Sequence, residues 1–361
     1  MDTKAVIKTL TAKRPKIQLD RESALSSGST LLNLACTDHP DFAFMKGGYY
    51  YLVGDSMSGK TWTSLTCFAE ACLNPAFKDY LLIFDDVEGG AQMDVEYYFG
   101  KEVARRMKPE QSTTIESFYA TLAKLARAGK PFVYVLDSQD ALTSKAAAKK
   151  VSKQRQADEK GEEAAGSYGD GKAKYHSENI RQVLADLRAL KSILIIIGQT
   201  RDNLGFGFEK KTRSGGKALR FYAQLEIWTS VFKKIQKTVR GRPRTIGARC
   251  LAEVKKNRVT GKIGKDRQVE IPIYYGMGID DVGSIVDYLV GEEHWSAKEV
   301  TKGNKTTKLL HAPELEFKGS RGQLIAHIEQ EKLESKIRKL AGEVWAQIES
   351  ECEPRRKRRY E

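Results

Sequence analysis

Short apolar runs recur along this chain, each closing on a small or polar residue, with helix-period stretches between them. Tyr49-Tyr50-Tyr51-Leu52-Val53 leads into Gly54, Tyr80-Leu81-Leu82-Ile83-Phe84 into Asp85-Asp86, Phe132-Val133-Tyr134-Val135-Leu136 into Asp137-Ser138, and the run from Ser192 to Gly198 into Gln199. Runs that are apolar on both faces and separated by helices predict a mostly parallel sheet covered on both sides. Trp62 to Leu73 reads as a helix with one apolar face. Around Leu225–Phe232, Arg249–Val254 and Gln268–Tyr274 the pattern alternates and the loops shorten. Those three runs predict antiparallel strands that extend one edge of the sheet. The expected class is α/β, with the sheet and its helices filling residues 25–290.

Two interruptions break the pattern. Residues 145–175 are rich in Lys, Ala, Glu and Gly without an apolar period, which predicts either a mobile loop or a charged helical excursion. Residues 200–217 combine Gly205, Gly207, Gly215 and Gly216 with basic and aromatic residues. Beyond about Val290 come Trp295, a turn-rich KGNKTTK and an amphipathic region from Ser320 to Ile348, which predict a small second domain over 291–350. A short helix over Thr3–Ala12 is expected in a basic segment 1–24, and Arg355-Arg356-Lys357-Arg358-Arg359 makes 351–361 a basic tail.

Charge changes the picture more than length does. In 361 residues there are 61 Lys and Arg against 47 Asp and Glu, a net charge of +14. That excess favours a polyanionic partner and puts nucleic acid first. With 40% apolar and 30% charged residues the chain is not a disordered one. Five cysteines form no CxxC pair, and they read as reduced thiols without a zinc site. The longest strongly apolar run, Ile193 to Ile197, is far too short for a bilayer, and MDTKAVIKTL lacks the apolar stretch of a signal peptide. A cytoplasmic protein without a membrane role is expected.

The strand ends carry the candidate chemistry. Gly54-Asp55-Ser56-Met57-Ser58-Gly59-Lys60-Thr61 matches GxxxxGK(S/T) between a strand and a helix, where successive N–H groups can cradle a phosphate. Lys60 would supply a point charge to terminal phosphates and Thr61 a hydroxyl to Mg²⁺. Asp137 ends a later strand, the setting of a carboxylate in the Mg²⁺ shell. Glu88 follows the strand expected beside the P-loop strand, and a carboxylate there can deprotonate an attacking water; Asp85 and Asp86 compete for that role. Gln199 directly precedes the Gly-rich loop and could pass the presence of a γ-phosphate to it. In that loop Phe206 and Phe208 stand among Arg201, Lys210, Lys211 and Arg213, an interleaving of aromatic and basic residues that suits single-stranded nucleic acid.

Together these residues resemble the RecA family of recombinases, over roughly residues 25–350. Leu25-Ser26-Ser27-Gly28-Ser29 is similar to the family's opening segment, DVEGG to its catalytic-glutamate segment, and Val135-Leu136-Asp137-Ser138 with Ala141 to Ala146 to its VVDSVAALTPKAE run. Gln199 to Gly216 falls on the second DNA-binding loop, KALRFYA on NALKFYA, Val254 to Arg258 on VVKNK, and Ile273 to Ile279 on ILYGEGI. The resemblance implies a RecA-like P-loop core, ATP on Gly54 to Trp62, Glu88 as base, Asp137 at the metal, Gln199 as γ-phosphate sensor, and Asp94 and Tyr97 at the adenine. It implies Lys256 and Arg258 on a neighbouring subunit's ATP, and Arg201, Phe206, Phe208, Lys210, Lys211, Arg213, Gly215 and Gly216 on DNA. It further implies a helical filament on single-stranded DNA that pairs it with duplex, segment 1–24 serving oligomerisation. A ring-forming helicase of the same superfamily and a regulatory paralogue are the competing readings. The long 145–175 segment, the short N-terminal segment, the basic end and Arg258 in place of lysine depart from the family pattern; they fit a divergent, phage-encoded member.

Overall fold

The computed structural model describes residues 19–149, 151–152, 172–202, 211–213, 216–302, 305–356 and 359. The segment before residue 19, with its expected helix, lies outside them, as does most of 150–171. Two short strands, β1 (Ala24–Leu25) and β2 (Phe44–Met45), bracket helix α1 (Thr30–Thr37). The core then runs β3 (Tyr49–Gly54), α2 (Lys60–Leu73), β4 (Leu81–Asp86), α3 (Val95–Phe99), α4 (Lys101–Arg106), β5 (Met107–Glu110), α5 (Ile115–Ala128), β6 (Phe132–Asp137), α6 (Lys172–Leu190), β7 (Ile193–Asp202), β8 (Lys211–Arg213), α7 (Gly216–Tyr222) and β9 (Leu225–Val239). It continues through β10 (Arg242–Asn257), β11 (Gln268–Tyr274), β12 (Gly278–Ile279) and α8 (Asp281–Gly291). The last part is β13 (Ser296–Lys302), β14 (Lys305–Ala312), β15 (Phe317–Ser320), α9 (Arg321–Gln330) and α10 (Glu334–Glu351).

The ten-stranded main sheet has the order β12-β11-β10-β9-β3-β7-β6-β4-β5, with β8 paired to β7 outside that path. From β9 to β5 neighbours are parallel, and beyond β9 they are antiparallel. Two expectations need correction. β4 is not beside the P-loop strand β3, because the chain crosses to β4 first and β6 and β7 return to fill the gap. β9 is parallel to β3, since α7 provides a crossover between β7 and β9; the antiparallel pairs begin at β9 with β10. Between those two strands Arg240 (φ 52°) and Gly241 (φ 72°) are both left-handed, as a tight type I′ hairpin requires.

Period-two alternation splits the sheet residues between two apolar layers. Tyr50 and Leu52 join Leu65 and Phe68 of α2, while Tyr49, Tyr51 and Val53 join Ile115, Phe118, Ile180 and Leu187 of α5 and α6. Local signals fix the helices: Thr114 and Ser117 form a capping box at the start of α5, and left-handed Gly129 ends it. The first layer continues without a break into Ile285, Trp295, Leu310, Leu324, Ile337 and Trp345, so the C-terminal three-stranded sheet and its helices share its apolar cluster. Cys36, Cys67 and Cys250 are buried free thiols, Cys72 is partly buried and Cys352 is exposed. Among the described residues no helix is long and apolar enough to cross a membrane.

One buried cation fastens the last helix, α10, to the core. The Arg267 side chain is 0% exposed; its guanidinium pairs with Asp38, the C-cap of α1, and with Glu349 of α10 at 2.5 Å, and lies 5.0 Å from the Trp345 ring. Trp345 Nε1 also donates to Asp38 at 3.0 Å. Burial alone would raise the Asp38 pKa, but hydrogen bonds from Arg267, Lys262 and Trp345 outweigh it and hold it below the usual carboxylate value. A depressed carboxylate stabilises the fold above its unfolded pKa and loses that contribution as pH falls through the folded one. Arg267→Met should therefore cost about 3 kcal/mol at pH 7, with the deficit narrowing in acid. Denaturant titration of both proteins at pH 7 and pH 3.5 checks this; a loss that does not shrink on acidification would contradict the ion-pair account.

Candidate functional site

β3 delivers Gly54 to the carboxyl edge of the sheet, and the chain turns there before α2 begins at Lys60. A Cβ on Gly54 would lie 2.3 Å from the Thr229 carbonyl oxygen, so only glycine fits. Gly59 has φ 88°, and its Cβ would fall 2.7 Å from Ile273 Cδ1. Ser58 Oγ donates to the Asp55 carbonyl at 2.7 Å and is 2.7 Å from Thr229 Oγ1, which ties the loop to β9. Lys60 is buried at the loop's centre, its ammonium donating to the carbonyls of Gly54 (3.0 Å) and Asp55 (2.6 Å). No side chain caps the N-terminus of the α2 helix. A positively biased helix end behind a buried ammonium is a receptor for phosphate oxygens.

Carboxylates gather opposite the lysine. Thr61 Oγ1 donates to Asp137 Oδ2 at 2.5 Å. Glu88 Oε1 accepts from Ser138 Oγ at 2.6 Å and from Gln199 Nε2 at 2.9 Å. The two competitors of Glu88 are occupied elsewhere. Asp85 is fully buried and accepts from Ser112 N (2.7 Å) and Tyr134 OH (2.5 Å); Asp86 accepts from Gly90 N and Ala91 N, holding the turn that carries Glu88. Burial pushes the Asp137 carboxyl pKa up, partly offset by Thr61 and Lys60 and reinforced by Glu88. Burial likewise lowers the Lys60 pKa against the pull of Asp137, Asp55 and Glu88. Asp140 Oδ2 takes the Gln199 backbone N–H at 2.7 Å, and Thr200 Oγ1 bonds Asp55 of the loop. Ser138, Asp140, Thr200 and Thr229 were not singled out from sequence; each lies within three positions of a motif residue or pairs with one across the sheet.

The resulting cleft, about 290 Å³, is lined by Ser56 to Trp62 with Asp86, Glu88, Gly90, Ala91, Met93 and Asp137. Trp62 packs edge-on against Tyr98 at 4.9 Å and tilts against Phe99 at 5.5 Å. Asp94 and Tyr97 are outside this lining: Asp94 caps α3 through Tyr97 N at 2.9 Å, and the largely exposed Tyr97 donates to the Gly276 carbonyl at 3.3 Å. Lys256 and Arg258 are not brought to the cleft. Gly54 is level with Thr229 and so with Ala252, and Lys256 lies four positions further along β10, roughly 13 Å at about 3.3 Å per residue. At that other end Lys256 donates to the carbonyls of Arg220 and Phe221, closing α7, and the Arg258 guanidinium lies 5.5 Å from the exposed Phe221 ring. Arg258 and Phe221 line a larger cavity of about 730 Å³ together with Arg181 and Arg188.

Of the expected DNA-facing residues, Phe206, Phe208, Lys210 and Gly215 lie outside the described residues. Arg201 belongs to β7, Lys211 and Arg213 to β8, and Gly216 opens α7; β7 and β8 pair antiparallel from Thr200↔Arg213 to Asp202↔Lys211. In the 145–175 segment, residues 145–149 and 151–152 are helical, and the Lys145 N–H is held by the Glu116 carboxylate at 3.0 and 3.1 Å.

Mg²⁺ fits the donor set when phosphate oxygens complete it. No cluster of three or more His, Cys, Asp or Glu able to hold a metal occurs among the described residues, but Thr61 and Asp137 offer adjacent oxygens, and Asp137 carries a buried charge that a divalent cation would relieve. A raised folded pKa means that ionised Asp137 destabilises the fold once pH exceeds it. In chelator at neutral pH, Asp137→Asn should thus raise unfolding stability. Thermal melts of both proteins test this; a variant less stable than the parent would contradict it.

The family profile described as the RecA N-terminal domain matches residues 3–280. Protein RecA of Helicobacter hepaticus is 29% identical over 281 residues, covering 75% of this chain and 71% of that protein. Protein RecA of Corynebacterium efficiens is 29% identical over 300 residues, 79% of this chain and 66% of that protein. The crystal structure of the RadB recombinase superposes over 71% of this chain and 99% of that one, with a TM-score of 0.47 and 15% identity. With that profile spanning residues 3–280 of a 361-residue chain, this protein belongs to the RecA family of recombinases.

Proposed function

We propose that the chain is an ATP-dependent DNA-strand-exchange protein of the cytoplasm, which polymerises on single-stranded DNA with ATP held between adjacent subunits. The observation that carries this reading is the separation of two half-sites on one protomer. The P-loop cleft holds Lys60, Thr61, Asp137 and Glu88, while Arg258 stands at the far end of β10, beyond reach of it. A cation that cannot serve its own cleft is placed to serve a neighbour's, and repetition of that contact builds a helix or a ring.

Within the cleft, Lys60 and the loop N–H groups would bind the terminal phosphates of ATP, with Trp62 beside the base. Thr61 and Asp137 would hold Mg²⁺, which supplies charge neutralisation at the phosphates. Glu88 would take the proton of the attacking water, with Ser138 and Gln199 fixing its orientation through one oxygen and leaving the other free for that proton. Gln199 would then report the γ-phosphate to the β7–β8 hairpin, where Arg201, Lys211 and Arg213 lead toward DNA together with Phe206 and Phe208. Arg258 from the adjacent subunit would stabilise developing phosphate charge, which ties hydrolysis to assembly.

Two inactive variants can test the division of labour. Glu88→Gln keeps the cation and loses the base; Arg258→Ala keeps the base and loses the cation, and leaves Lys256 to close α7. Each alone should show DNA-stimulated turnover down by about 100-fold or more. Mixed on single-stranded DNA, they should regain activity at seams where a Glu88 cleft meets an intact Arg258. A mixture no faster than the sum of its parts would remove the cation from the neighbouring site.

A further inference from the structure

On each flank the P-loop meets a threonine from the neighbouring strand. On the β9 side Thr229 Oγ1 lies 2.7 Å from Ser58 Oγ. On the β7 side Thr200 Oγ1 donates to the Asp55 carboxylate. The β3–β7 ladder ends at Gly54↔Gln199, so Asp55 and Thr200 are the next position on each strand, and their side chains add one rung where backbone pairing stops. Thr200 is itself held on both sides. It pairs with Arg213 of β8, and the N–H of Gln199 just before it is taken by Asp140 at 2.7 Å. Its hydroxyl is therefore a fixed donor.

Asp55 meets Lys60 through its neutral part. Its carbonyl accepts from the Lys60 ammonium at 2.6 Å, and the ammonium also reaches the Gly54 carbonyl at 3.0 Å and Ser58 Oγ at 3.4 Å. None of the ion pairs among the described residues includes Lys60. The Asp55 charge is nevertheless felt there. Burial lowers the Lys60 pKa, and the carboxylates of Asp137 and Asp55 lead the groups that pull it back up. In a partly buried site an ammonium and a carboxylate attract far more strongly than in water. An Asp55 carboxylate turned onto Lys60 would occupy the cation that phosphate oxygens need, and that carboxylate takes no part in the proposed hydrolysis. It serves the cleft by staying out of it.

We propose that Thr200 is a positioning residue for nucleotide binding: it holds the Asp55 carboxylate away from Lys60 and so reserves the ammonium for phosphate. The inference rests on the reading of the cleft as a nucleotide site, and adds a residue that acts there without touching the nucleotide. Gln199 would act by contact with phosphate, Thr200 by restraining a charge. Without the hydroxyl, Asp55 turns onto Lys60 and competes with the phosphates for one cation.

The test is equilibrium binding of Mg-ADP to the full chain, without DNA, in Thr200→Val, Thr200→Ser and Asp55→Asn proteins and in the double variant Thr200→Val with Asp55→Asn. Valine keeps the branched shape that suits a strand and removes only the donor. Its ADP dissociation constant should rise about tenfold, the scale of one hydrogen bond to a charged group. Serine keeps the hydroxyl and should stay within about twofold of the unaltered chain; with the charge gone, the double variant should match Asp55→Asn alone within about twofold. That rescue separates a released charge from a disturbed strand. A second readout uses no nucleotide. Acetylation of Lys60 should slow about threefold in Thr200→Val, because an ion-paired ammonium gives up its proton less readily, and should recover in the double variant. An unchanged ADP affinity in Thr200→Val, a loss that persists in the double variant, or unaltered Lys60 labelling would overturn the proposal. Failure of the unaltered chain to bind ADP would remove the nucleotide reading itself, while the labelling would still decide what Thr200 does to Asp55.

Discussion

Three strand ends meet at one carboxylate oxygen. Glu88 follows β4, Ser138 follows β6 and Gln199 lies in β7; the two side chains on β6 and β7 both donate to Glu88 Oε1. The strands run side by side in the order β7, β6, β4 over a fully buried apolar layer, so their ends cannot shift independently. The next residue after Gln199 is Thr200, which bonds Asp55 of the P-loop and pairs with Arg213 of β8. A change in what Glu88 or Gln199 binds would thereby be felt at the root of the hairpin expected to face DNA. Such a coupling would need no long pathway, only a two-residue link between the cleft and β8.

Much of this was legible in the sequence, because the strands of the parallel core are buried on both faces and announce themselves as unbroken apolar runs ending in functional residues. Gly54 to Thr61 was readable for a steric reason: the approach of Thr229 and Ile273 leaves no space for a Cβ at Gly54 or Gly59. Strand order was not legible. A run of β-formers fixes that a strand exists, while its neighbours depend on crossovers, and β4 was accordingly expected beside β3. The choice among Asp85, Asp86 and Glu88 also needed coordinates, since three acids in four positions differ only in which face of the strand end they leave. Tyr134 and Ser112, the groups that claim Asp85, are distant in sequence. The full length of β9 and β10 was missed because Lys and Arg dilute the apolar alternation that marks a strand.

The candidate functional residues stand at two opposite ends of the sheet. At the carboxyl end of the parallel strands stand the P-loop, the carboxylates, the β7–β8 hairpin and the turn between β9 and β10. At the other end Arg258 and Phe221 line a cavity of about 730 Å³, and Lys256 donates to the Phe221 carbonyl. On the proposed reading, stacking protomers end to end would set one group against the other and bring Arg258 to a neighbour's cleft. The Arg267 ion pairs hold α10 against α1 on the flank, so that the core and its appended sheet would enter an assembly as one body.

Amide hydrogen exchange at Thr200 to Asp202 and Lys211 to Arg213 tests the link between cleft and hairpin most directly. In the unaltered chain, a non-hydrolysable ATP analogue with Mg²⁺ should slow exchange at these amides. In Gln199→Ala the nucleotide should still bind and the slowing should vanish. Full protection of the β7–β8 amides in that variant would contradict the account.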